Sequence, residues 1–473
     1  MRRIAIAVLA VMAVCSVEAR PKQDTNVGMD FLDRSFNRYD RLQKALFFNP
    51  EIGYAEYESA KLIAADLEEA GFTVEWGVSG IPTAFIATYG KGSPVIGILG
   101  EYDALPGLSQ DTVAYKKPLV EGAPGHACGH NLLGTASAAG AVAISKWLSQ
   151  GNKGTVRYYG CPAEETYGSK NYMARDGYFD DVDAVFSWHP DTWNNVPTHK
   201  MLAMVRARFS FTGSPKGVEG AWRVSSALDG VESFNYMMNM MREHVKASTK
   251  IQYVIVNGGE APNVVPKHAV VDYIIRNSDP EEVRRLYARA EAAAKGAAMG
   301  TGTAVECEIT NGYDSRLINR TLANVFLKHF QTVGGPVLDE REQAFCREIG
   351  RAYGSKNPDD LSNFTKLPSK LQNVGGGSTD VANVSQRAPV ASIHVATAVR
   401  NAGSHTWAHT ATSGMTIGTK AAMCVAKVFY LSALELNTDP SVLKAIRDEF
   451  EAAGVKDYKS LLGDRKPPLE LVK

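Results

Sequence analysis

Val95–Leu99 is a continuous apolar run, the mark of a strand covered on both faces, and it stops at Glu101-Tyr102-Asp103. Thr155–Tyr159 and Ala184–Trp188 read as two more strands. The first ends at Pro162-Ala163-Glu164-Glu165 and the second at His189-Pro190. Open α/β sheets place their sites outside the carboxyl ends of their strands. Three strands ending in chemically able side chains therefore constrain the chain to an α/β sheet with a site along one edge. Asp103 alone also reads as a turn or capping residue.

Between the first two strands lies Gly125-His126-Ala127-Cys128-Gly129-His130-Asn131, followed by the Ala- and Gly-rich stretch Leu132–Leu148. That stretch is expected to be a helix packed closely on the sheet. Cys128 and His130 flank a glycine, so both side chains can turn toward one point, although a Cys-x-His pair alone is a weak signal. Adjacent glutamates usually lie on a solvated face, but Glu164-Glu165 follows a strand. One carboxylate of such a pair can ligate a cation while the other moves a proton.

Among the ten histidines, His189 and His405 are the best further ligands, and His409 competes with His405. His126 reads as a structural or supporting residue, and His199, His244, His268, His329 and His394 as ordinary surface or packed ones. Cys, His and Glu together suit a zinc-like or manganese-like ion. The chemistry this points to is metal-dependent hydrolysis of an amide bond.

From about Ala203 the pattern changes. Met204–Thr212 alternates like a half-exposed strand, Ser225–His244 reads as a helix, and Ile251–Val256 and His268–Arg276 read as strands. Pro280–Met299 is a second helix and Val305–Thr310 a last strand. This order predicts an inserted ferredoxin-like α+β domain over residues 203–312. The catalytic domain would then be discontinuous, 28–202 and 313–440. Helices are also expected over 28–50, Tyr57–Ala70, Asn319–Phe330 and Gly418–Leu434, with Pro358–Asn373 as a loop.

The N-terminus has Arg2 and Arg3, an apolar run from Ile4 to Val14, and Val17-Glu18-Ala19 at cleavage spacing. Residues 1–19 are read as a signal peptide, too short to span a bilayer. The mature protein is expected to be exported, periplasmic or secreted, with no membrane segment after cleavage. The five cysteines beyond the leader are odd in number and scattered, which is no disulfide framework. With 51 basic and 51 acidic residues, nothing forms the basic face that nucleic acid requires.

Several long motifs carry a resemblance: Gly-Glu-Tyr-Asp-Ala-Leu-Pro-Gly-Leu-Ser-Gln from Gly100, Gly-His-Ala-Cys-Gly-His-Asn-Leu-Leu-Gly-Thr from Gly125, Tyr-Gly-Cys-Pro-Ala-Glu-Glu from Tyr159, and Ser-Thr-Asp-Val from Ser378. Over about residues 30–435 the chain resembles the B-type chains of aminobenzoyl-glutamate hydrolases. That group lies in the amidohydrolase branch of the aminoacylase/carboxypeptidase metallopeptidases. The resemblance implies a phosphorylase/hydrolase-like catalytic domain with a central mixed sheet, and a lid domain that pairs two copies of the chain in a homodimer. It implies two divalent metal ions, zinc or manganese, held by Cys128, His130, Glu165, His189 and His405. Glu164 would be the general base and Asp103 the acid that orients the centre. Asn263 and Arg276, in the lid, would hold the substrate's carboxylate. The implied substrate is a small N-acyl or N-aroyl amino acid or a short peptide. Because the resemblance is to one of two chain types, a second hydrolase subunit is left open as a partner.

Two features depart from the pattern. Relatives carry Phe-x-Gly-x-x-x-His in the lid, whereas Phe211-Thr212-Gly213 is followed by Gly217 at the histidine's place. Lys216 is a candidate substitute donor. The leader is the second departure and points to an extracytoplasmic substrate. A dipeptidase or carboxypeptidase on short peptides is one alternative. A catalytically weakened metal- or ligand-binding protein is another, favoured by Gly217 and opposed by the intact Glu164 and ligand positions.

Overall fold

A computed structural model describes residues 24–214, 224–373, 377–455 and 458–471. The leader and the Lys216–Gly217 departure lie outside the described residues. The main sheet has six strands in the order β1 (Thr73–Trp76), β2 (Phe85–Lys91), β4 (Gly154–Gly160), β3 (Val95–Gly100), β5 (Ala184–Asp191) and β10 (Val390–Ala396). β3, β4, β5 and β10 run parallel, and β1 and β2 close the other edge antiparallel, so the sheet is mixed. β3 is buried along almost its whole length, as its unbroken apolar run requires.

Helix His130–Leu148 lies between this sheet and helix Thr416–Thr438, and all but one of its 19 residues are buried. Its small residues make that position attainable. At Gly134 an added Cβ would stand 2.8 Å from the Glu101 carbonyl oxygen and 2.9 Å from Ile63. Helix Thr416–Thr438 is long and apolar enough to cross a membrane, but 72% of its apolar window is buried inside the protein, as a core helix requires.

The second sheet is antiparallel, in the order β7 (Lys250–Asn257), β8 (His268–Asn277), β6 (Ala203–Thr212) and β9 (Ala304–Tyr313). Helices Ala227–Met241 and Pro280–Thr301 cover one face, where Phe209, Phe211, Val271 and Tyr273 meet Val231, Phe234 and Leu286. The alternation along β6 is that of a strand with one covered face. Ser226 and Asp279 cap the two helices by accepting from Asp229 and Glu281 backbone N–H groups, and Pro280 opens the second.

Three elements differ from the sequence reading. The helix expected over 28–50 breaks at Ser35 into Val27–Arg34 and Phe36–Phe48. Helix Glu340–Ala352, with a capping box from Asp339 and Glu342, was not foreseen. Nor was β10, which adds a fourth parallel strand beside β5 and so a fourth strand end at the site.

Candidate metal centre

The ends of β3, β4, β5 and β10 meet the N-terminus of helix His130–Leu148 at one cleft of about 350 Å³. Its wall includes Glu101, Cys128, Glu164, Glu165, His189 and His405. Gly129 makes the turn between two of the expected ligands. Its φ of 75° is left-handed, and an added Cβ would meet Pro190 at 2.9 Å. Ala163 (φ 59°) and His405 (φ 66°) adopt the same sparsely populated region without glycine's freedom. The chain accepts that cost beside the carboxylate pair and at the last histidine.

Potential donor atoms of Cys128, His130 and His189 lie within 4.8 Å of one another, and so do those of Cys128, Glu165 and His405. Cys128 is shared by both groups. Cys128 Sγ is 3.3 Å from His189 Nε2, and His405 Nε2 is 3.3 Å from Glu165 Oε1. Asp103 is fully buried and touches two of the set. One of its oxygens is 2.9 Å from His130 Nδ1 and the other accepts the Glu165 backbone N–H at 3.0 Å. With Nδ1 turned to Asp103, His130 has Nε2 left for the cluster with Cys128 and His189. That buried nitrogen has no hydrogen bond, although Glu101 Oε2 lies 3.2 Å away. Thiol, imidazole and carboxylate atoms converging within 4.8 Å of one another fit a divalent cation.

Electrostatics separates the two adjacent glutamates. Burial raises Glu164 well above the usual carboxylate range, and the charges of Glu101, Glu165 and Asp380 push it further. The Thr379 hydroxyl donates to its Oε1 at 2.8 Å. Burial acts on Glu165 in the same sense, but the His405 hydrogen bond and the charge of His130 outweigh it and hold the carboxyl at about 2. Glu164 is therefore suited to carry a proton and Glu165 to stay ionised. Burial and the Glu165 charge raise the Cys128 thiol, an effect that a bound cation reverses.

His126 is buried with Nε2 3.2 Å from the Leu46 carbonyl, a structural position. His409 is buried against Thr397, outside the cleft wall, so His405 is the histidine that reaches it. Asn263 is exposed in the turn before β8, and Arg276 is half-buried on β8; neither belongs to the cleft wall here.

Three neighbours of this cluster were given no role in the sequence reading, His394 among them as an ordinary histidine. His394 on β10 stands in register with His189, with ring centres 5.5 Å apart, and pairs with Asp191 at 2.8 Å. The strand reads Val-Ala-Ser-Ile-His-Val from Val390, so Ser392 and His394 break the apolar run that marked β3 and β5. Lys170 is fully buried between Glu101 (2.9 Å) and Asp380 (2.7 Å), beneath Glu164. Arg316 lines the cleft from the connector after β9. Neither of these cations carries a sequence pattern.

A family model, Peptidase family M20/M25/M40, matches residues 97–433. The chain is similar to the B chain of p-aminobenzoyl-glutamate hydrolase from Escherichia coli (strain K12), 36% identical over 450 residues, covering 89% of this chain and 94% of that one. It is 26% identical over 440 residues to the Xaa-Arg dipeptidase of Mus musculus, covering 89% and 90%. Among solved structures, a dinuclear metal-binding peptidase of the M20 family from Bacillus subtilis superposes with a TM-score of 0.57 at 19% identity, covering 86% of this chain and 99% of that one. The chain belongs to peptidase family M20/M25/M40 and is a metal-dependent hydrolase of amide bonds.

Proposed function

We propose that the protein is an exported amidohydrolase that cleaves an N-acyl or N-aroyl amino acid, aminobenzoyl-glutamate-like, and releases the free amino acid. The observation that carries this reading is Glu164, a half-buried carboxyl held by Thr379 beside a cluster of converging ligand atoms. Cys128, His130, Glu165, His189 and His405 would hold two divalent ions, zinc or manganese. Such ions supply Lewis acidity toward water and toward an amide carbonyl. Asp103 fixes the His130 ring and the Glu165 backbone, so the ligand atoms are aimed before substrate arrives. Glu164 takes the proton of the attacking water and hands it to the departing amine.

The acyl group is assigned to a neighbouring cavity of about 550 Å³, larger than the cleft but holding none of the expected ligands. Asp191 and His394 border both spaces, and Trp193, Leu367 and Pro368 give the cavity apolar walls. The domain spanning 203–312 is proposed as lid and dimer contact. Exposed Tyr236 (64%), Val254 (58%) and Val256 (53%) on its outer helix and edge strand support that pairing. Asn263 and Arg276 are proposed as lid-side contacts to the substrate carboxylate.

The likeness to the Xaa-Arg dipeptidase favours short peptides as a second substrate class. Release of free amino acid from p-aminobenzoyl-glutamate, N-acyl amino acids and dipeptides by the metal-loaded protein decides between them. Preference for acyl or aroyl substrates is expected. Turnover confined to dipeptides would move the assignment to a dipeptidase.

A further inference from the structure

Lys170 and Asp380 are both fully buried, with Lys170 Nζ 2.7 Å from one Asp380 oxygen and 2.9 Å from Glu101. Burying such a pair commonly costs as much as it returns in stability. The grip on Asp380 is double, because its other oxygen accepts the Lys170 backbone N–H at 3.0 Å. Lys170 lies on helix Ser169–Arg175, which opens just after Glu164-Glu165, whereas Asp380 stands 210 positions further along the chain. The pair therefore clamps the segment that carries Thr379 to the segment that carries Glu164.

Thr379 is held on its other side too. Ser378 Oγ donates to the Leu202 carbonyl at 2.9 Å, and the Thr379 carbonyl accepts the Ala382 N–H at 3.2 Å. The Thr379 hydroxyl oxygen accepts the Val381 N–H at 3.4 Å, which leaves its hydrogen to point at Glu164 Oε1, 2.8 Å away. The backbone around Glu164 is equally fixed. The Ala163 N–H donates to Glu56 at 2.8 Å, the Glu165 N–H to Asp103 at 3.0 Å, and the Tyr313 hydroxyl to the Glu164 carbonyl at 3.3 Å. What remains to be set is the turn of the Glu164 side chain. Among the described residues, the hydrogen bond made to its carboxylate comes from Thr379.

We infer that Thr379 is a positioning residue for the hydrolysis: it occupies Glu164 Oε1 and so assigns the proton transfers to Oε2. The inference rests on the amidohydrolase reading and adds which oxygen of the base works and what aims it. The water's O–H bond breaks toward Oε2 as its oxygen adds to the amide carbon. The O–H bond on Oε2 then breaks toward the nitrogen as the C–N bond parts. A carboxylate free to turn spends part of its time away from the water, and a misplacement of about 1 Å costs about 100-fold in rate. Thr379 acts through Glu164, and the Lys170–Asp380 pair acts through Thr379.

Thr379→Val keeps the branched shape and removes the hydroxyl. In metal-loaded protein assayed on p-aminobenzoyl-glutamate it is expected to lower kcat by about 10- to 100-fold, with KM within about twofold. Metal content should be unchanged, and Thr379→Ser should recover most of the loss. In a Glu164→Gln background, Thr379→Val is expected to change the residual turnover by less than about twofold, because the group it aims is gone. A crystal structure of Thr379→Val is expected to show the Glu164 carboxylate turned away from residue 379 or in two rotamers. Equal kcat in Thr379→Val and wild type overturns the inference and leaves the hydrolase reading standing. A loss of the same size in the Glu164→Gln background also overturns it, since Thr379 then acts on the fold or the substrate. If wild type hydrolyses no amide, the hydrolase reading falls and the crystal structure decides: a displaced Glu164 keeps the positioning role, and an unmoved one ends it.

Discussion

Asp103 touches no cleft-lining atom that a substrate would meet, yet it sets two that a cation would. Its two oxygens face His130 Nδ1 and the Glu165 N–H at 2.9 and 3.0 Å. Replacing one oxygen by an amide nitrogen turns an acceptor into a donor facing one of those hydrogens. Asp103→Asn is expected to lose about 10- to 100-fold in metal affinity, measured by competition with a chelator; unchanged affinity would remove Asp103 from the centre's support. At this scale much of the site was legible. Cys128, Glu164, Glu165, His189 and His405 line one cleft, with His130 buried beside Cys128 and His189, because each lies at the end of a strand or the start of a helix. Arg316 and Lys170 were not legible. A lone cation in a loop or short helix has meaning only through neighbours distant in sequence, here Glu101 and Asp380 for Lys170 and the ligand cluster for Arg316.

Among the elements, helix His130–Leu148 carries the most consequence, because it packs on the sheet and begins with a ligand. Gly134 faces the end of β3, where an added methyl would press on the Glu101 carbonyl at 2.8 Å. Gly134→Ala is expected to cost about 1–3 kcal/mol, read from denaturant midpoints, despite alanine's better helix propensity; a stabilised variant would show that the helix and strand have room to part. The strands β3, β4 and β5 were legible as apolar runs ending in polar ones. β10 has Ser392 and His394 within its run, follows a long stretch of weak pattern and comes far from its partner β5 in sequence. Helix Glu340–Ala352 did carry a signal, a capping box from Asp339 and Glu342 and buried Glu342, Cys346 and Ile349 at helical spacing. One member of that stripe is a glutamate, which hides it from an apolar pattern.

Across the whole molecule, the second sheet rejoins the main one through the residues after β9, where Asp314 is buried between the two parts. Burial raises its carboxyl to about 6, against the pull of Arg284 and a hydrogen bond with Tyr458. The folded protein thus holds this proton more tightly than the unfolded chain. Its contribution to stability is full below about pH 4 and is lost as pH rises to about 6, amounting to roughly 2–3 kcal/mol. Asp314→Asn is expected to remove that slope, so the stability difference between variant and wild type should change between pH 4.5 and 7; a constant difference would contradict the assignment. The order of strands and helices in the second domain was readable from alternation and caps. The use of its connector as a wall of the catalytic cleft was not, because that depends on how two sheets dock.

Glu164 is the group on which the proposed hydrolysis turns. Metal content and amino-acid release are to be measured together, on protein stripped and then reloaded with zinc or manganese, for wild type and Glu164→Gln. We expect wild type to be silent when stripped and active when reloaded. Glu164→Gln should bind the same amount of metal with turnover lower by about 10²–10⁴-fold. Full activity in the metal-loaded variant, or undiminished activity in the stripped wild type, would contradict the account.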